Sequence, residues 1–163
     1  LNMSLQGQLM GNAPVRLKMK NSLAKENNNI FWEGFVGSFK FHTLDNVLYP
    51  ILGLKILSGE LHKIDFKFVS DDFQSEGEMT MLYENLHASI LKSKKNSENH
   101  LLTSIINGLI HKSNPNKRGK IKVVRMNFKR DEFKGLGNYL WKTIQNGIIN
   151  TITPMRKRVR RLK

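Results

Sequence analysis

Five histidines, one paired aspartate and a single Ser-Gly step are the residues of this 163-residue chain best suited to chemistry. A zinc hydrolase places two imidazoles four residues apart on one helix face with a glutamate between them; His42, His62, His87, His100 and His111 never fall at that spacing, and no cysteine exists to complete a thiolate site. Asp71-Asp72 could ligate a cation, but aspartate is also what a turn between two strands selects for backbone reasons. Ser58-Gly59 lacks the strand-to-helix setting of a nucleophile elbow. Gly135-x-Gly137 opens a helix without a preceding βα turn and Gly34-x-x-Gly37 lies inside a strand, so neither reads as a phosphate loop. These residues predict no enzyme, no metal and no cofactor.

Binding chemistry remains, and the charge asks for it. Twenty-seven Lys+Arg against 13 Asp+Glu leave +14, which calls for an anionic partner, either nucleic acid or a lipid surface. Six basic residues in the last nine, Arg156, Lys157, Arg158, Arg160, Arg161 and Lys163, hold +6 of that charge. A nucleic-acid platform wants aromatic and basic side chains on one face. Lys40 alternates with Phe39 and Phe41, and Lys67 with Phe66 and Phe68, so strand geometry sends them to opposite faces. With 39% hydrophobic and 25% charged residues the chain is neither disordered nor fibrous, and no apolar run reaches the length of a membrane span.

The elements that must carry these residues read mostly as β over residues 1–93. Alternation predicts strands over residues 1–10, Val15 to Lys20, Ile30 to Phe41, Leu54 to Ser58, Leu61 to Ser70, Phe73 to Tyr83 and Leu86 to Leu91, joined by short turns into an antiparallel meander. Thr43 to Pro50 reads as a short helical turn. Phe31, Phe35 and Phe39 share one face of the third strand. With Ile64, Phe66, Phe68, Met79, Met81 and Tyr83 they are expected to line an apolar groove for acyl chains, in a sheet too long for its few helices to cover.

Residues 94–153 are expected to form a helix-strand-helix cap. Its first helix carries Leu101, Leu102, Ile105, Ile106, Leu109 and Ile110 and stops at Ser113-Asn114-Pro115. A strand follows at about Ile121 to Lys129, then a helix over Asp131 to Thr153 with Leu136, Leu140, Ile144, Ile148 and Ile152 every four residues beside Trp141. Residues 154–163 form the polybasic tail. An amphipathic helix followed by such a tail is the arrangement that binds an anionic bilayer, so Leu136, Leu140, Trp141, Ile144, Ile148, Arg156, Lys157, Arg158, Arg160 and Arg161 are the expected membrane contacts. The fold class is therefore mostly β (α+β), a long meander sheet curling into an open apolar groove with two amphipathic helices toward the C-terminus.

His42 to Leu52 followed by Leu54 to Leu61, with Asp71 to Met79, Tyr83 to Leu86, Ile106 to Ile110, Asn138 to Lys142 and Gly147, resembles the AsmA-like superfamily over roughly residues 40–150. The resemblance implies the C-terminal portion of an envelope protein of a Gram-negative bacterium, similar to the AsmA and TamB group. Such a protein is anchored in the inner membrane by a segment outside this sequence and extends a β-groove through the periplasm. The implied role is non-enzymatic: moving phospholipid between membranes and supporting outer-membrane assembly, with phospholipid acyl chains, an anionic membrane surface, envelope proteins and the rest of a longer chain as partners. Two rival readings stand beside it, a basic nucleic-acid-binding protein and a structural adaptor that docks a partner through its last helix.

Overall fold

The computed structural model describes residues 1–9, 11–21, 29–46, 54–90 and 109–154. Seven strands form one antiparallel sheet: β1 (Asn2–Leu9), β2 (Ala13–Asn21), β3 (Ile30–Val36), β4 (Phe39–Lys40), β5 (Leu54–Ser70), β6 (Gln74–Ile90) and β7 (Val123–Lys129). The spatial order is β1-β2-β3-β5-β6-β7, with β4 pairing β5 beyond the end of β3. Apart from the two-residue β4, each strand lies beside its neighbour in sequence, an antiparallel meander in which β1–β2 and β5–β6 are joined by short turns and the connections from β4 to β5 and from β6 to β7 are longer. Among the described residues one α-helix, α1 (Leu136–Ile152), packs on β7 and β6, and a 3-10 turn spans Phe41–Leu44. The other expected helix, over Leu101–Ile110, lies outside the described residues except for Leu109 and Ile110, as does the tail from Met155.

The strands expected as Leu54–Ser58 and Leu61–Ser70 are one 17-residue strand, and those expected as Phe73–Tyr83 and Leu86–Leu91 are another. Ser58-Gly59 is a bulge inside β5, not a turn. Gly59 has φ +127°, and a Cβ there would sit 2.9 Å from Leu86 Cα, so this position needs glycine. Bulges and turns recruit the same residue types, which is why the sequence pattern broke the strand here. The register of β5 on β6 slips again between Leu61 and Lys63. Leu61 therefore joins Ile64, Phe66 and Phe68 inside although strict alternation would send it out.

Helix α1 begins later than the expected Asp131. The Asp131 carboxylate accepts the Phe133 N–H at 3.1 Å and its carbonyl accepts the Lys134 N–H at 3.0 Å, closing a turn before the helix starts. The row of α1 that presses on the sheet is Tyr139, Thr143, Gly147 and Thr151, all buried. The three small residues of the row, Thr143, Gly147 and Thr151, bring the helix close. Thr143 and Thr151 return their hydroxyl protons to the carbonyls of Tyr139 and Gly147, and a Cβ at Gly147 would stand 2.8 Å from both Met126 and Met79. Gly147→Val is thus expected to lift α1 off the sheet and cost about 1–3 kcal/mol, read as a lower midpoint in urea with the slope unchanged.

Candidate functional site

The register sorts the sheet into two faces. On one face no charged residue appears in any of three cross-strand rows: Gly7–Val15–Val36–Ile64–Met81, Leu5–Leu17–Gly34–Phe66–Met79–Val124, and Met3–Met19–Trp32–Phe68–Gly77–Met126. Burial runs along these rows as a gradient. Met126 and Met79 are 1% exposed under α1, Phe66 and Phe68 are buried at the centre, Leu17 and Met19 on β2 are half-buried, and Met3 and Leu5 on β1 stand 59% and 64% exposed. Leu1 and Leu9 continue the exposed row. The apolar face is therefore a core at one side of the sheet and an open surface at the other.

This changes the expected lining in two ways. Ile64, Phe66, Phe68, Met79, Met81 and Tyr83 do share a face, but they are packed core residues and not the walls of an open trough. Phe39 joins them, half-buried and edge-on to Phe41. Phe31 and Phe35 lie on the opposite face, where Phe31 is half-exposed and Arg16 stacks 4.6 Å over the Phe35 ring. Trp32 goes inside in their place. Its indole N–H donates to buried Ser70 Oγ at 2.9 Å and its ring stacks on Phe68, while Gly34 leaves room for the Phe66 ring, whose nearest carbon would collide with any Cβ there. An indole with a buried partner, next to a glycine that accommodates a facing aromatic ring, outweighs two phenylalanines for the inner face.

The opposite face is polar and its charges alternate across the strands. Lys18, Glu33, Lys67, Glu78 and Arg125 stand in one row. That row and its neighbour, Lys20–Phe31–Val69–Glu76, bank a cleft of about 880 Å³ floored by the backbone between them. Opposite charges directly across from each other stabilise a sheet, and they leave no continuous track of one sign for a phosphate backbone.

Positive charge gathers instead at one end of the molecule, where residues 109–122 return along β6. Asn114 anchors them: its side-chain amide donates to the carbonyls of Met81 (2.7 Å) and Lys122 (2.9 Å), its Oδ1 accepts the Lys122 N–H, and its backbone pairs with Tyr83. Lys122 Nζ donates to the carbonyls of Asn150, Thr151 and Thr153, satisfying the end of α1, and burial lowers its pKa. The turn so held presents Lys112, Lys117, Arg118 and Lys120 to solvent, and between Glu98 and Asp131 the sequence has no acidic residue. His111 N–H donates to the Ile152 carbonyl, so the loop sits beside the end of α1, two residues before Pro154.

The Tyr83 hydroxyl, wholly buried, donates to the His111 carbonyl at 2.8 Å, and burial pushes its pKa well above the ordinary 10. Above pH 10 the unfolded chain sheds a proton that the folded chain keeps. Stability is therefore full below about pH 10 and falls by about 1.4 kcal/mol per pH unit above it from this group. Urea midpoints measured from pH 9 to 11 are expected to show that fall, reduced by one proton's worth in Tyr83→Phe.

Of the expected membrane contacts on α1, Leu140, Ile144 and Ile148 are half-buried against the core, because the sheet needs that row to flank its helix seam. Leu136 and Trp141 are exposed, at 41% and 54%. Arg156, Lys157, Arg158, Arg160 and Arg161 lie outside the described residues.

Ser58 Oγ stands 2.9 Å from His87 Nδ1, the reach of a nucleophile and its base, but both atoms also contact the Asn85 carbonyl, at 2.8 and 3.0 Å. In this arrangement the hydroxyl, the ring and the carbonyl satisfy a bulged backbone in which Asn85 has φ 54°. Among the described residues no three His, Asp or Glu side chains gather as a metal site, and no helix is long and apolar enough to cross a membrane. The chain matches no family model, no curated protein and no solved structure.

Proposed function

We propose that this chain is a non-enzymatic lipid-handling module, that it holds acyl chains on the open part of its apolar face, over β1 and β2, and that it meets an anionic membrane surface with its basic end. The observation that carries this reading is the gradient along the cross-strand rows, which leaves Leu1, Met3, Leu5 and Leu9 in solvent as the continuation of a charge-free face. At about 3.3 Å per residue and 4.8 Å per strand, β1 with β2 offers an apolar strip about 26 Å long and 10 Å wide, the shape of an extended hydrocarbon chain. Buried on lipid, each exposed leucine or methionine recovers part of the roughly 1.5–3 kcal/mol that full burial gives.

The resemblance over residues 40–150 supports placing the module in an AsmA-like envelope protein that moves phospholipid between inner and outer membranes. The alternating charges of the polar face favour this over nucleic-acid binding. Lys117, Arg118 and Lys120, with the basic residues that follow Pro154, supply the attraction to anionic headgroups. Protein purified without detergent and examined by native mass spectrometry is expected to carry phospholipid in a defined ratio. A lipid-free protein that also takes up none from vesicles, but binds nucleic acid with a steep salt dependence, would overturn the proposal.

A further inference from the structure

The C-terminal end of α1, ordinarily the negative pole of a helix, is neutralised. The carbonyls of Asn150, Thr151 and Thr153 accept protons from Lys122 Nζ, and the Ile152 carbonyl accepts the His111 backbone N–H at 2.7 Å. Four acceptors that would repel an anion are thereby spent on donors. Between this capped helix end and the turn at residues 111–122 lies a cavity of about 460 Å³, a size usual for small-ligand sites. His111, Ser113, Asn116, Lys120 and Lys122 are among its lining residues.

The wall of this cavity is rich in donors and poor in acceptors. Asn116 Oδ1 already takes the N–H groups of Arg118 and Lys120, at 2.9 and 3.1 Å, so its NH2 is the part left to bond. Ser113 Oγ accepts the Asn85 N–H at 3.2 Å and keeps its own proton to give. Among the described residues nothing accepts from the Lys120 ammonium, the Asn116 amide, the Ser113 hydroxyl or the His111 ring, and no carboxylate lines the cavity. Asn114 Oδ1, the remaining side-chain amide acceptor, holds the Lys122 N–H. Unspent donors around two ammonium groups suit an oxyanion of more than one charge. We propose that this cavity seats a phosphomonoester group, which brings three strong acceptor oxygens and a charge of about −1.5 to −2. The inference rests on the reading that the basic end meets anionic headgroups, and it turns a diffuse attraction into a seat for one headgroup. A terminal phosphoryl group enters a recess, whereas a phosphodiester carries carbon on both sides, two free oxygens and one charge. Lys117 and Arg118 are exposed on the same turn without lining the cavity, so they add only to the field around it.

Inorganic phosphate titrated into the full chain at constant ionic strength, with the His111 imidazole resonances followed by NMR, tests the site. Saturable shifts and a raised His111 pKa are expected, because burial and the Lys122 ammonium hold that pKa below its ordinary value and a bound anion offsets the ammonium. Lys120→Gln removes a charge-assisted bond and is expected to weaken phosphate binding about tenfold. Lys117→Gln, which removes the same charge from the same turn outside the cavity, is expected to leave it nearly unchanged. Phosphatidylcholine vesicles carrying phosphatidic acid, set against vesicles carrying phosphatidylglycerol at equal surface charge, identify the source of the group. Tighter binding to phosphatidic acid that Lys120→Gln abolishes makes the ligand a lipid headgroup; phosphate binding without that preference makes it a soluble phosphate ester. No saturable shift of His111 with phosphate, or equal losses in the Lys117 and Lys120 variants, would overturn the site. With the site overturned and both anionic vesicles still bound, the membrane contact stands on charge alone. With phosphate bound at the site and neither vesicle bound, the membrane contact falls and the site remains.

Discussion

Replacing Met3 and Leu5 together by glutamate is expected to weaken acyl-lipid binding on the order of 100-fold while leaving the urea midpoint nearly unchanged. Both side chains are more than half exposed, so the fold gains little from them. A bound acyl chain would bury them, and losing two such contacts removes about 2–3 kcal/mol, to which the cost of burying a carboxylate against hydrocarbon adds. The same double substitution made deeper in the rows, at Phe66 and Met79, would unfold the protein instead, because those residues are its core. Uptake of a fluorescent fatty acid, read beside the unfolding midpoint, separates the two effects. Equal uptake by wild type and the Met3→Glu/Leu5→Glu variant would remove β1 from the lipid site.

The second large effect is electrostatic. Neutralising Lys117, Arg118 and Lys120 to glutamine should lower affinity for anionic vesicles by about 3 kcal/mol at low salt, at about 1 kcal/mol per basic residue, again on the order of 100-fold. The loop itself should hold, because its shape comes from Asn116 Oδ1, which accepts the N–H groups of Arg118 and Lys120. Neutral vesicles should show no difference between the proteins. An unchanged affinity for anionic vesicles would leave the membrane contact to the residues after Pro154 alone.

Much of the architecture is legible in the residues because alternation has a period of two and turns need particular side chains. The antiparallel meander, the inward Ile64, Phe66 and Phe68, and a helix through Leu140 and Ile148 all follow from pattern. Face assignment fails where pattern is ambiguous. Ile30 to Val36 carries large apolar side chains on both sides, but Glu33, its one charge, shares the side of Phe31 and Phe35 and marks it as the outer one, a signal that two phenylalanines outweigh in a reading by ring count. Ser70 and Phe68 on the neighbouring strand complete the choice, and alternation cannot see them. Bulges at Gly59 and Leu61 shift the phase without altering composition. The helix seam hides for another reason: periodicity favours the leucine-isoleucine row, whereas close approach favours its neighbour with Thr143, Gly147 and Thr151. Asn114 looks like a helix stop before Pro115, and its role as a clamp appears only when Met81 and Lys122 lie beside it.

Most of the residues expected to line an acyl-chain groove are core. Alternation identifies an apolar face and says nothing about which part of it a helix covers. Coverage depends on where α1 docks, and it docks at β6 and β7. The exposed end of the face is then β1, whose Leu1, Met3 and Leu5 were visible from the start as an ordinary strand pattern.

The proposed acyl chains lie on this face over β1 and β2, and Trp32, one strand further in on β3, stands in the row that begins with exposed Met3. Trp32 and Trp141 are the two tryptophans of the chain, and Trp141 is half-exposed on α1. In Trp141→Phe, Trp32 becomes the only emitter, and phospholipid with brominated acyl chains quenches an indole near the hydrocarbon. The account predicts saturable quenching of Trp32 that disappears when Met3 and Leu5 are also changed to glutamate. Binding of the same lipid with Trp32 emission unchanged would contradict it.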